Sequence, residues 1–213
     1  MEFTRILALR HGETTWNQDK RLQGQLDIPL NERGHWQAAR AAAALRDEAI
    51  AAVYSSDLAR AHQTAHAIAA ALALEVRTHS GLRERHFGAF QGKTWTELEV
   101  EEPEATLAWR TRVPDFAPGG DGETLLQLRE RIETTFNGIA ARHPGEQIVI
   151  VAHGGVLDMV YRLATGLELQ APRTWTVENA AINRLLWTPE GLSLVGWADA
   201  NHLEDGSDDD AST

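Results

Sequence analysis

The sequence predicts an α/β fold, a three-layer sandwich with a mostly parallel central sheet and helices on both of its faces. Three observations carry that expectation. Short, almost uninterrupted apolar runs at 6–9, 51–54 and 147–152 read as strands buried on both sides. Longer alanine-rich or amphipathic stretches alternate with them and have the composition of helices. Near the end, runs at 181–187 and 192–197 are separated by Thr188-Pro189-Glu190-Gly191, which fits a closing hairpin.

In chain order, the run at 6–9 is stopped by Arg10-His11-Gly12, so charged residues fall at a strand end. A helical stretch follows from Asn31 to about residue 48, and after the strand at 51–54 Asp57 is the expected N-cap of a helix reaching about residue 74. Residues 86–122 are rich in aromatics, prolines and glycines, with short helices expected near 95–98 and 104–112, and read as an inserted lid or pocket wall. An amphipathic helix over 123–142, the strand at 147–152 and a helix opened by His153-Gly154-Gly155 complete the alternation. No internal repeat or linker breaks the chain, so residues 1–203 are expected to form one domain. In open α/β sheets ligands bind outside the carboxyl ends of the strands, and Arg10-His11 and His153-Gly154 both fall there.

Composition narrows the chemistry. The 213 residues are enough for a real core, with 43% hydrophobic and 24% charged content. No apolar run is long enough to span a bilayer, so no membrane association is expected. The first residues run straight into a strand without a secretory signal pattern, which predicts a cytoplasmic protein. The absence of cysteine removes disulfides, thiolate catalysis and cysteine-ligated zinc together. A formal net charge of −11 argues against nucleic-acid binding, which needs a basic face. Part of that charge lies in the acidic stretch 204–213, which reads as a disordered tail with no catalytic role.

Most of the nine histidines are expected to be structural. His62 and His66 share a helical face at i and i+4 but lack the glutamate of a zinc-protease motif, so no metal site is expected there. His11 and His153 differ from the rest. Each follows an apolar strand and each precedes a glycine, where backbone can approach a ligand closely.

Around these two residues the sequence resembles the histidine phosphatase superfamily, which includes phosphoglycerate mutases and many small phosphatases. Leu9-Arg10-His11-Gly12-Glu13-Thr14 with Trp16-Asn17 is similar to its signature. Ser55-Ser56-Asp57-Leu58-Ala59-Arg60-Ala61 with Gln63-Thr64-Ala65 resembles a second block, Leu82-Arg83-Glu84 with Phe87-Gly88 a third, and Val151-Ala152-His153-Gly154-Gly155 a fourth. Weaker matches continue through Glu178-Asn179-Ala180-Ala181-Ile182 and Asn201-His202-Leu203.

The resemblance implies a metal-independent, histidine acid-type phosphatase acting on a small phosphate ester, with no cofactor and with a homodimer allowed. It implies that His11 is transiently phosphorylated, attacking through an unprotonated nitrogen while the other donates to a carbonyl in the Gly12 turn. Arg10, Arg60 and His153 are then the positive donors to a phosphoryl group, a task that suits the planar guanidinium. Glu84 is implied as general acid and then base, since a phosphate beside a carboxylate favours its protonated form. Asn17, Gln23, Gly24 and the backbone amide of Gly154 are expected to line the phosphate pocket. Two rival readings are a bisphosphoglycerate-dependent phosphoglycerate mutase and a catalytically inactive phosphate-binding protein. Against the mutase stand the short, weakly basic segment 93–122 and the Gly-Gly after His153, where mutases have Gly-Asn. Residues 86–122 are expected to choose the substrate: Phe87, Phe90, Trp95, Trp109 and Phe116 suit an apolar-bodied phosphate ester, and Arg110 and Arg112 a carboxylated one.

Overall fold

Alternation along the central strands sets the layers. The computed structural model describes residues 3–204, so the acidic stretch from 205 onward lies outside the described residues. The strands are β1 (Thr4–Arg10), β2 (Ala52–Ser55), β3 (Val76–Thr78), β4 (Gln147–Ala152), β5 (Ile182–Thr188) and β6 (Gly191–Asp199). They form one sheet in the order β3-β2-β4-β1-β5-β6. β1 to β4 are mutually parallel, in register from Arg5↔Gln147 to Arg10↔Ala152 at the centre, and the hairpin β5-β6 adds antiparallel beside β1.

The helices are α1 (Thr15–Gln18), α2 (Glu32–Leu45), α3 (Ala59–Ala71), α4 (Trp95–Glu101), α5 (Pro103–Arg110), α6 (Leu125–Ala140) and α7 (Gly154–Thr165). Leu7, Leu9, Val53, Val149 and Val151 pack against the small-residue faces of α2 and α3. Ile6, Ala8, Ile148 and Ile150 face the other way, onto Leu128, Ile132, Phe136, Leu157 and Val160 of α6 and α7. Period-two side-chain alternation in doubly covered strands thus produces the expected three layers. Fully burying a Val, Leu, Ile or Phe side chain in these layers contributes about 1.5–3 kcal/mol.

Local sequence explains most helix starts. Asn31 accepts the Gly34 amide at 2.8 Å, and Thr94 and Thr124 each form a capping box with Glu97 and Gln127. α7 ends at Gly166, whose φ of 69° is the left-handed cap that glycine adopts without strain.

The expectation for Asp57 is corrected. α3 begins at Ala59 with Leu58 at the cap position and no side-chain cap of its own. The carboxylate of Asp27 reaches in from the preceding loop to accept the Ala59 amide at 2.6 Å. Asp57 instead binds Arg83 through two hydrogen bonds of 2.8 and 2.5 Å, which hold its carboxyl below the ordinary carboxylate range. α3 also stops at Ala71, and the three residues of β3, too few for a periodic signal, form an edge strand. No helix among the described residues is long and apolar enough to cross a membrane.

Candidate active site

Because β1, β2 and β4 are parallel, Arg10, Ser55 and Ala152 end on one edge, and the next residues gather there. The His11 amide donates to Ala152 O at 3.0 Å, continuing the ladder one residue past the strand. The imidazole Nδ1 lies 2.7 Å from Gly12 O. A carbonyl only accepts, so Nδ1 carries the proton and Nε2 presents a lone pair. Asn179 holds the His11 carbonyl at 2.8 Å, and Gly12 N donates to Thr64 Oγ1 at 3.0 Å. A Cβ on Gly12 would meet Gly34 O at 2.5 Å, so close backbone approach requires glycine at this turn.

Burial, then the charges of Arg60 and Arg10, push His11 well below the ordinary histidine value, which favours the neutral ring. Arg10 is anchored by Nη1 to Val177 O at 2.8 Å, and Arg60 by Nη1 to Leu26 O at 2.8 Å and Nη2 to Gly24 O at 2.7 Å. Burial lowers both guanidinium values, Arg60 to about 10, with Glu84 the largest opposing influence. Both remain cations at neutral pH.

His153 lies beneath His11, wholly buried, with ring centroids 5.2 Å apart. Burial, followed by Arg60, His11, Arg10 and Arg131, drives it well below the ordinary value too. That favours the neutral ring, which keeps one N–H to donate. Among the described residues, neither ring nitrogen of His153, nor Nε of Arg10 or Arg60, has a hydrogen-bond partner. Buried donors left unpaired cost about 1–3 kcal/mol each, and more when charged. Arg10 and Arg60 line the same pocket as His11.

Glu84 is buried. Its Oε1 accepts from Arg85 N at 2.8 Å and its Oε2 from Gly155 N at 3.0 Å, while Arg83 turns away to Asp57. A Cβ at Gly155 would sit 2.4 Å from Glu84 Oε1, whereas one at Gly154 would make ordinary contact with Arg10 Nε at 3.6 Å. The second glycine, which the sequence reading left without a role, is therefore the one that Glu84 needs.

Every other expected site residue lines one pocket of about 350 Å³, including Asn17, Gln23, Gly24 and Gly154. Asn17 Oδ1 accepts from Thr14 N at 3.0 Å and Thr14 Oγ1 at 3.1 Å, which leaves Nδ2 as its donor. Gly24, at φ +53°, is packed against Gln91 where a Cβ would not fit. Phe87, Trp95 and Trp109 from 86–122 form an apolar wall, with the Arg85 guanidinium 4.9 Å over the Trp109 ring. Of the two arginines noted in that segment, Arg112 lines the pocket and pairs with Asp158 at 2.8 Å, while Arg110 pairs with Glu99 on the outside. Asp158 and Arg173 also line it from beyond the insertion. No sequence signal singled them out, because nothing local marks an arginine that follows a loop proline.

An acceptor nitrogen beside two buried arginines whose Nε atoms are unpartnered, at the carboxyl edge of a parallel sheet, is the arrangement of an α/β enzyme that handles phosphoryl groups. The sequence model of the histidine phosphatase superfamily (branch 1) matches residues 6–200, and the chain belongs to that superfamily. It is 40% identical over 204 residues to a metal-independent phosphoserine phosphatase of Arabidopsis thaliana, covering 95% of this chain and 84% of that protein. Phosphoglycerate mutase-like protein 4 of the same plant is 39% identical over 208 residues, covering 96% and 89%. Among solved structures, a mycobacterial glucosyl-3-phosphoglycerate phosphatase complexed with VO3 superposes with a TM-score of 0.82 at 33% identity, covering 92% of this chain and 99% of that one.

Proposed function

We propose that this chain is a metal-independent phosphomonoester hydrolase that acts through a phosphohistidine on His11. The observation that carries the reading is the set of unpartnered Nε atoms of Arg10 and Arg60 and ring nitrogens of His153 around an imidazole locked to Gly12 O. In this mechanism the ester phosphate is held by Arg10, Arg60, His153, Asn17 Nδ2 and the Gly154 amide. His11 Nε2 attacks phosphorus as the bond to the leaving oxygen breaks, and Glu84 in its acid form gives that oxygen its proton. Water then attacks the phosphohistidine, Glu84 takes the proton, and the P–N bond breaks to return His11 and release phosphate. Transition-state charge stays on the equatorial oxygens, so fixed donors do most of the work.

The acid-type label is supported by the depressed His11, which stays nucleophilic below its ordinary value. The substrate class we favour is a small carboxylated phosphomonoester in the cytoplasm, such as O-phosphoserine. The support is the phosphoserine phosphatase relative, together with Arg112 and Arg173 beyond the phosphate cradle. The second reading is a phosphoglycerate mutase, which the 39% identical phosphoglycerate mutase-like relative supports; the Gly154-Gly155 pair, where mutases have Gly-Asn, favours the phosphatase.

The test is phosphate release from O-phosphoserine, 3-phosphoglycerate and p-nitrophenyl phosphate in excess chelator, with a parallel bisphosphoglycerate-dependent isomerisation assay. Chelator-resistant hydrolysis supports the proposal. Isomerisation without phosphate release would move the function to the mutase, and silence in both would leave the phosphate-binding reading.

A further inference from the structure

Glu84 lies on a loop that follows the short 3₁₀ turn Ser80–Leu82, and a proton donor there is useful only if the loop is held still. Gln25 Nε2 holds the Glu84 carbonyl at 3.1 Å, and Arg131 fastens the residues before it. Arg131, on the middle of α6, donates from Nη1 to Gly81 O at 2.8 Å and to Arg83 O at 2.9 Å, the latter being the carbonyl of the peptide that leads into Glu84. Its Nε and Nη2 form a bidentate pair with Glu123 at 2.7 and 2.6 Å. Glu123 in turn grips the far side of the same loop. Its carbonyl accepts from Arg85 Nε at 2.6 Å and its amide donates to His86 O at 2.8 Å. The backbone before Glu84 is thus tied to the Arg131 guanidinium and the stretch after it to the main chain of Glu123, whose carboxylate holds that guanidinium, and neither residue lines the pocket around His11. Only arginine has the planar fork to make these bonds together.

We propose that Arg131, held by Glu123, is a positioning residue for proton transfer by Glu84. The proposal rests on the reading of Glu84 as general acid. It has a signature that ordinary structural support lacks. kcat/KM reports the step up to phosphorylation of His11, in which an aryl leaving group needs little protonation and an alkyl one needs much. General acid catalysis commonly contributes about 10²–10⁴-fold, so a displaced Glu84 should forfeit part of that factor on alkyl esters alone.

The experiment compares kcat/KM for O-phosphoserine and p-nitrophenyl phosphate in the native chain, Glu84→Gln, Arg131→Met, Arg131→Lys and Glu84→Gln/Arg131→Met. The expected result is a loss of about tenfold or more on the alkyl ester for both Arg131 variants, and of less than about threefold on the aryl ester. The double variant should be no worse than Glu84→Gln, since both changes act on one group. Equal losses on the two esters, an additive double variant, or native behaviour in Arg131→Lys would overturn the proposal, the last by showing that charge near His153 is what matters. If Glu84→Gln itself shows no leaving-group selectivity, the reading of Glu84 fails and takes the strap with it. Should the Arg131 variants not fold, Glu123→Gln weakens the same strap, and the same selective loss or its absence decides.

Discussion

Gly155→Ala adds a single methyl carbon where Glu84 now rests. That carbon would lie 2.4 Å from Oε1 and 3.3 Å from the carboxyl carbon. Ordinary van der Waals contact begins near 3.4 Å, so the carboxylate must withdraw by about 1 Å and give up its 3.0 Å hydrogen bond from Gly155 N. Such a charge-assisted bond is worth about 1.5–3 kcal/mol, partly offset by the roughly 1 kcal/mol that alanine gains over glycine in a helix. The net cost to stability is about 0.5–2 kcal/mol, or a Tm lower by a few degrees for a chain of this size. Catalysis should suffer more, because misplacing a reacting group by about 1 Å can cost on the order of 10²-fold. The assay is phosphate release from O-phosphoserine with thermal unfolding measured on the same samples. We expect kcat to fall by roughly ten- to a hundredfold with KM little changed. A folded Gly155→Ala enzyme with native kcat would refute the reasoning that places the proton donor against this glycine.

Other expectations follow from the same geometry. His11 and His153 are held neutral, so below 6.5, the ordinary histidine value, the unfolded chain binds protons that the folded chain does not. Stability is therefore fully present above that value and lost as pH falls, by up to about 1.4 kcal/mol per pH unit for each ring. Thermal unfolding at pH values on either side should show this fall, and His11→Asn should lessen it. The acid limb of kcat/KM, corrected for ionisation of the substrate, should likewise lie below 6.5, and a limb at that value would contradict the depressed His11. Arg60→Lys cannot keep the bonds to both Leu26 O and Gly24 O, and we expect a loss of about a hundredfold or more in kcat in a folded protein. Gly34→Ala drives a Cβ to 2.1 Å from Glu13 O. Overpacking of this kind costs about 1–3 kcal/mol, visible as a lower Tm, and it should reduce kcat by disturbing the turn after His11.

What could be read from the sequence was what local pattern encodes. The apolar runs of β1, β2 and β4 and the polar residues that stop them placed Arg10, His11 and His153 on one edge before any coordinates. The block resemblances added Arg60 and Glu84, and the structure brings both to the same pocket. The features that could not be read depend on contacts distant in sequence. Nothing around Ala59 announces that Asp27 caps its helix, and Asp57 had the right residue type in the right place until Arg83 claimed it. The need for glycine at 34 and 155 is steric, set by Glu13 O and by the Glu84 carboxylate, 21 and 71 residues away along the chain. Arg131 looked like one charge on an amphipathic helix, because its partners Gly81 O and Arg83 O are backbone atoms that no side-chain pattern reports.

The central claim, that His11 carries the phosphoryl group, is tested most directly by trapping it. The native chain is mixed rapidly with phosphate ester and quenched in alkali, where phosphohistidine survives, and the modified peptide is then identified by mass spectrometry. The account predicts one phosphoryl group on the peptide containing His11, appearing within a single turnover and absent from His11→Ala, which should also release no phosphate. A label on any other residue, or hydrolysis that persists in His11→Ala, would contradict it.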